Sequence, residues 1–295
     1  MIHAEQISKR YGEVQALQNI SFSVEKGSTL GIIGPDGAGK TTLFRILSTV
    51  LLPDSGYASI DGLDTKKDYQ AIRNTIGYMP GRFSLYRDLT VNENLEFYAS
   101  VFRTTIAENY YLIKDIYSRI EPFKNRRAGA LSGGMKQKLA LSCALIHSPS
   151  VLFLDEPTTG VDPVSRKEFW EMLKRLKQQG ITIVVSTPYM DEVTLCDNIM
   201  FIQNGEIMGI DTPEKIVAGY SGNLYSLRSE NNYNLLKLLK QNGNIEICYI
   251  SGEYVRVVFK TNEVPEIENV EVFKFEPTVE DCFIKAGSRK TKSRS

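Results

Sequence analysis

Residues 34–41, GPDGAGKT, set a glycine, a four-residue interval, a second glycine, a lysine and a threonine in one run. A strand-like TLGII precedes them, and KTTLFRILSTVL follows with Leu43, Ile46, Leu47, Val50 and Leu51 at helical spacing. Gly34, Gly37 and Gly39, with Pro35, Asp36 and Ala38 between them, let successive backbone N–H groups converge on a phosphate chain. The helix N-terminus adds positive potential there. Lys40 can then reach the β- and γ-phosphates of a nucleoside triphosphate, and the Thr41 hydroxyl, with Thr42 beside it, can ligate magnesium. A second candidate is VLFLDEP at 151–157, an apolar strand ending in Asp155 and Glu156. Asp155 suits a magnesium ion, and Glu156 can orient or deprotonate an attacking water, because phosphoryl transfer mostly needs positioning and charge neutralisation. Taken alone, such an acidic pair could equally be a solvated strand end. The phosphate loop upstream favours the chemical reading. A third stretch, LSGGMKQ at 131–137, puts Ser132, Gly133 and Gly134 at the head of an amphipathic helix, where Ser132 also serves as an ordinary N-cap.

The elements that would hold these residues alternate in a legible way. Residues 1–80 carry short strand-like runs, IHAEQISKRY, ISFSVEKGS, GYASIDG and TIGYMP, and residues 86 to about 147 turn helical and rich in Tyr and Phe. From 151 to 202 apolar runs alternate with the helix VSRKEFWEMLKRLKQQG, the pattern of an α/β layer with parallel strands. The fold class expected is therefore α/β, closed by about residue 220. A small α+β appendage over 222–284 is expected beyond it, from YSLRS, NNYNLLKLLKQNG, IEICYI, YVRVVFK and VEVFKF. The last eleven residues hold five Lys or Arg and no acid, which predicts a disordered basic tail over 285–295.

Composition excludes several classes. Lys plus Arg equals Asp plus Glu at 35 each, so no overall field points to nucleic acid or an anionic membrane. Runs such as ITIVV fall short of the roughly 20 residues a spanning helix needs. The four cysteines form no C-x-x-C pair, which argues against a zinc site and fits a reducing cytoplasm.

The order phosphate loop, LSGG, LDEP, with Tyr11 ahead and TTGVDP behind, resembles the nucleotide-binding subunit of an ABC transporter over residues 1 to about 220. The resemblance implies a P-loop NTPase (RecA-like) core with an antiparallel β subdomain and an inserted helical subdomain, and ATP with Mg2+ as ligands. It implies that Tyr11 stacks on adenine, although a strand-end tyrosine looks the same. It also implies that two cassettes face head to tail, so that Ser132, Gly133 and Gly134 serve a nucleotide held by the partner, with Asp162 at the seam. Residues 81–98 resemble the surface that docks the membrane subunit, and this implies a cytoplasmic chain peripheral on the inner face of the membrane. Phe83, Tyr86, Leu89, Phe97 and Tyr98 taken singly could as well be core of the helical subdomain. The ending FEPTVEDCFI is similar to ATPase subunits of ABC-2 exporters, and GPDGAGKTT resembles one half of a fused multidrug-exporter ATPase. ABC proteins acting on ribosomes or DNA want paired cassettes, long coiled coils or zinc-binding cysteines, and these are not seen here.

Two positions depart from the family pattern. Gly81 stands where a glutamine normally contacts magnesium and the attacking water, and Pro188 stands where a histidine touches the γ-phosphate. Proline lacks both the side-chain donor and the backbone N–H. The expectation is an impaired site of its own and an intact LSGG that completes a partner's site. That favours a heterodimer over a homodimer.

Overall fold

The computed structural model describes residues 1–261 and 270–293. The chain divides into two units, residues 1–212 and 213 onward. In the first, β1 (Ile2–Tyr11) and β2 (Val14–Val24) make an antiparallel hairpin. β3 (Thr29–Ile33) then enters a second sheet and runs into α1 (Lys40–Leu47). β4 (Ser55–Ile60) returns to pair with β1, and β5 (Leu63–Asp64) closes that four-stranded antiparallel sheet. α2 (Tyr69–Thr75) and β6 (Ile76–Met79) lead to three helices, α3 (Val91–Val101), α4 (Ile106–Tyr117) and α5 (Gly133–Leu145). The chain continues through β7 (Val151–Asp155), α6 (Pro163–Gln178), β8 (Thr182–Ser186), the short α7 (Met190–Val193), β9 (Asn198–Gln203) and β10 (Glu206–Asp211).

The second sheet has the order β10-β9-β3-β8-β7-β6, parallel except for β10. Every residue of β3, β7 and β8 is buried, as near-continuous apolar strands covered on both faces must be. These three strands are neighbours in register, with Ile32 opposite Ser186 and Ser186 opposite Asp155. Their carboxyl ends therefore meet, which is where open α/β sheets bind ligands.

The first helix is shorter than its apolar spacing predicts. It stops at Leu47, Thr49 takes a left-handed φ of 61°, and Val50 is 62% exposed. Backbone N–H groups of both Val50 and Leu51 donate to the Arg45 carbonyl, so the last turn is satisfied without Val50 facing the core.

The helical insertion packs as one apolar cluster through Leu95, Ile113, Ile116, Leu139 and Leu145. Capping boxes start two of its helices, Thr90 with Glu93 and Thr105 with Glu108. After α5, His147 donates through Nε2 to the Ile76 carbonyl at 2.9 Å and stacks on Phe102 at 3.7 Å, while its buried Nδ1 has no partner among the described residues. Burial holds its pKa below the ordinary 6.5. A proton on Nδ1 would be an unpaired buried charge. The folded state thus keeps His147 neutral at a pH where the unfolded chain already binds the proton, so this contribution is present above pH 6.5 and is lost as pH falls through that value, with a slope of up to about 1.4 kcal/mol per pH unit. Urea midpoints of the parent should drop more between pH 7 and pH 5.5 than those of His147→Gln, and equal drops would contradict this.

The second unit comprises α8 (Pro213–Ala218), β11 (Leu224–Arg228), α9 (Asn232–Gln241), β12 (Ile245–Ser251), β13 (Tyr254–Phe259), β14 (Glu271–Lys274) and α10 (Val279–Ser293). The strands form an antiparallel sheet, β12-β13-β11-β14, and α9 lays Leu235 and Leu239 on Leu227, Val255 and Val257. Two expectations are corrected. The division falls before Pro213 rather than near residue 220, because α8 packs with α10. The basic end is helical through Ser293 rather than disordered from 285. Asp281 caps the start of α10 by accepting from the Thr278 N–H and hydroxyl at 2.6 Å. Buried Lys285 donates to the Ser221 carbonyl and lies 4.6 Å from the Tyr220 ring. A helix anchored in this way propagates past its anchors, because each added residue gains a hydrogen bond without a new nucleation cost.

Candidate nucleotide site

The turn between β3 and α1 carries the first group of candidate residues. Gly39, the N-cap of α1, has φ 107°, and a Cβ there would stand 2.4 Å from the Ala16 carbonyl, so only glycine fits. No side chain caps α1, which leaves its first N–H groups for a ligand. Pro35, Asp36 and Gly37 are exposed, Gly34 and Ala38 are buried, and Thr42 is half-buried. Lys40 is 4% exposed, and its Nζ donates to the Gly34 carbonyl at 2.8 Å and to the Pro35 carbonyl at 3.2 Å, bent back over the loop. The same ammonium lies 3.4 Å from Glu156 Oε1.

The neighbouring strand ends bring in the carboxylates. Thr41 Oγ1 donates to Asp155 Oδ2 at 2.8 Å, and Ser186 Oγ donates to Asp155 Oδ1 at 2.7 Å. The Glu156 N–H donates to the Ser186 hydroxyl at 3.0 Å and to the Ser186 carbonyl at 3.1 Å. Glu156 sits at φ 49°, a left-handed conformation that turns its carboxylate back toward Lys40 and is held by those bonds. An uncapped helix start, a buried ammonium and a hydroxyl beside a carboxylate are the groups that a triphosphate with a hard cation takes up. Magnesium sites of this kind need only one or two carboxylates, with phosphates and water supplying the rest. The residues present fit both ligands.

Gly81 lies against this cluster. A Cβ on it would be 3.1 Å from the Asp155 carbonyl and 3.9 Å from Asp155 Cγ. Pro188 is exposed and follows Thr187, whose N–H donates to Ile32. Sequence reasoning missed what surrounds Pro188. Buried Glu192 accepts from Thr187 at 2.5 Å, from Thr158 at 2.8 Å and from Arg166 Nε at 2.9 Å, tying three elements together. Arg166 also reaches Asp191 at 3.0 Å and lies 3.7 Å from the Tyr189 ring. Sequence reasoning missed Ser186 too. No periodicity marks such residues, because their partners are distant in sequence.

Ser132 caps α5, accepting from the Met135 N–H at 3.4 Å, and Asp162 caps α6, accepting from the Ser165 N–H at 2.9 Å. That bond holds the Asp162 carboxyl below its usual range. The two caps adjoin, since a Cβ on Gly134 would stand 2.7 Å from Ser165 Oγ and one on Gly133 would stand 3.5 Å from the Gly160 carbonyl. Tyr11, at the end of β1, is 45% exposed with Lys9 Nζ 6.0 Å from its ring.

The ABC transporter family model matches residues 17–159. The ABC transporter ATP-binding protein NatA of Bacillus subtilis is 37% identical over 216 residues, 70% of this chain and 88% of the relative. The chain belongs to the ABC transporter ATP-binding family. The probable multidrug ABC transporter ATP-binding protein YbhF of Escherichia coli is 37% identical over 280 residues, 91% of this chain but 48% of that protein. The chain thus spans about half the length of this relative. A dimeric bacterial ABC transporter cassette superposes with a TM-score of 0.66 at 27% identity, covering 72% of this chain and 98% of the cassette. These agree with the α/β P-loop core, the antiparallel sheet and the helical insertion described above.

Within this ABC cassette, residues 81–98 form a loop and the start of α3. Asn94, fully buried, accepts from the Tyr86 N–H at 3.0 Å and donates to the carbonyls of Tyr86, Leu89 and Thr90. Leu89 and Phe83 are half-buried, whereas Tyr86 and Phe97, edge to face at 4.9 Å, stay 50% and 39% exposed. Tyr98 packs on the insertion's core.

Proposed function

We propose that this chain is an ATP-binding subunit that couples ATP binding to export through a separate membrane subunit, and that its own site hydrolyses ATP poorly. The observation that carries the reading is the cluster of Lys40, Thr41, Asp155 and Glu156 at one sheet end, against Gly81 and with Pro188 two residues beyond Ser186 in sequence. The loop N–H groups and Lys40 hold the phosphates, Lys40 leaving Glu156 as it does so. Thr41 and Asp155 hold Mg2+, which when bound supplies charge neutralisation on the phosphates. Glu156 orients the attacking water and takes its proton, and Tyr11 stacks on the base. The relatives' names support export: one is a daunorubicin resistance ATP-binding protein of Streptomyces coeruleorubidus and another a Nod factor export ATP-binding protein of Rhizobium etli. Asn94 fixes the Tyr86 backbone, and the exposed pair Tyr86 and Phe97 supports reading this face as the dock for the membrane subunit, with the chain on the inner face of the membrane. No helix among the described residues is long and apolar enough to cross it.

A second cassette is required, because Ser132, Gly133 and Gly134 serve the partner's nucleotide. Gly81 and Pro188 beside an intact LSGG favour a different, undamaged cassette over a second copy, as an alternative in which this chain is essentially a non-hydrolysing clamp. ATP binding tests the common part of both readings. Calorimetric titration of the purified chain should give a saturable ATP site, and Lys40→Ala should weaken it by about 10–100-fold, the worth of a charge-assisted hydrogen bond of about 1.5–3 kcal/mol. Unchanged affinity in the variant would overturn the assignment of Lys40.

A further inference from the structure

A cavity of about 40 Å³ lies beside Glu156 with Gly81, Arg82, Phe83, Tyr98, Gln137 and Cys143 in its walls. One water needs roughly 10–15 Å³ of such space and two to four polar partners. The walls supply them. The Gln137 amide on α5 and the Tyr98 hydroxyl on α3 have no hydrogen-bond partner among the described residues, and neither is sealed from solvent. The Glu156 carboxylate keeps acceptor capacity beyond its contacts with Lys40 and the Thr159 hydroxyl. Phe83 and Cys143 make the remaining wall apolar. Tyr78 and Ser84 also line it, so with Arg82 the cavity sets an amide, a carboxylate, a guanidinium and hydroxyl groups against a short hydrocarbon surface.

We propose that this cavity is a preformed guest site, holding water in the resting protein and accepting a short primary amide from solution, which then stands where residue 81 has no side chain. Its functional consequence rests on the reading that Gly81 deprives the site of an amide. A primary amide carries two N–H donors and a carbonyl acceptor. The donors match Glu156, the carbonyl matches Tyr98 Oη, and Gln137 can serve either. Propionamide is the glutamine side chain severed at Cα, and its ethyl group matches the apolar wall. Occupancy brings an amide beside the water that Glu156 orients, without a covalent tether, so only part of the roughly 10²–10³-fold worth of a fixed donor is recovered.

Propionamide binding is measured by saturation-transfer NMR on the full chain, alongside phosphate release. Expected are saturable transfer to propionamide in the parent, with a Kd on the order of 10 mM for so small a ligand, and its loss in Gly81→Gln and Gly81→Leu, both of which put a side chain at the cavity wall. Tyr98→Phe and Gln137→Leu should each weaken it, and turnover of the parent should rise about tenfold at saturation. Absent transfer in the parent, or transfer undiminished in both Gly81 variants, overturns the guest site. If Gly81→Gln speeds hydrolysis while propionamide fails to bind, the guest site falls and the reading of Gly81 stands. If propionamide binds and the Gly81 variants exclude it, while neither propionamide nor Gly81→Gln changes turnover, the guest site stands and that reading falls.

Discussion

The double variant Gly81→Gln, Pro188→His is expected to release phosphate at least about 10²-fold faster than the parent, since each restored donor near a transferring phosphoryl is worth roughly 10²–10³ in rate. The surroundings tolerate both changes. At 81 the new Cβ meets the Asp155 carbonyl at 3.1 Å, so the backbone must yield by a few tenths of an ångström, and residue 81 borders the cavity beside Glu156, which offers the rest of the side chain room. At 188 the proline is exposed, so histidine sacrifices no packing, and it returns a backbone N–H as well as an imidazole. ATP affinity should change little, because Lys40, Thr41 and Asp155 are untouched. Phosphate release across a series of protein concentrations checks this, with turnover rising with concentration if two chains form the working site. Equal rates in parent and variant would show that Glu156 and the phosphate loop suffice.

Glu192→Ala should cost about 3–5 kcal/mol of folding stability, the loss typical when one partner of a buried ion pair is removed. Glu192 is 3% exposed and accepts from Arg166, Thr158 and Thr187. Truncation strands all three donors in a site water barely reaches. Arg166 keeps Asp191 and the Tyr189 ring, which favours the lower end of the range. Chemical denaturation measures the loss directly, and a cost below about 1 kcal/mol would place Glu192 with exposed pairs instead.

Much of this organisation was legible because it is local. The glycine spacing of 34–41 between an apolar strand and a helix specifies one turn, and the uniformly apolar runs of β3, β7 and β8 specify a covered parallel sheet. What escaped was non-local or conditional on packing. Glu192 belongs to a helix of only four residues, and its three donors come from three separate stretches of chain. The end of α1 was overread because Val50 fits the apolar period yet faces solvent once Thr49 turns left-handed. The tail was underread for the converse reason. Its charges suggest disorder, but Asp281 and Lys285 anchor the helix from which it extends.

The central claim is that the cradle holds ATP without turning it over, and a single-turnover experiment tests it most directly. The purified chain is loaded with radiolabelled ATP and Mg2+, freed of unbound nucleotide, and sampled over time for bound ATP and ADP. The account expects the label to remain as ATP in the parent over the interval in which the Gly81→Gln, Pro188→His variant converts it to ADP. Conversion to ADP at the same rate in both would contradict it.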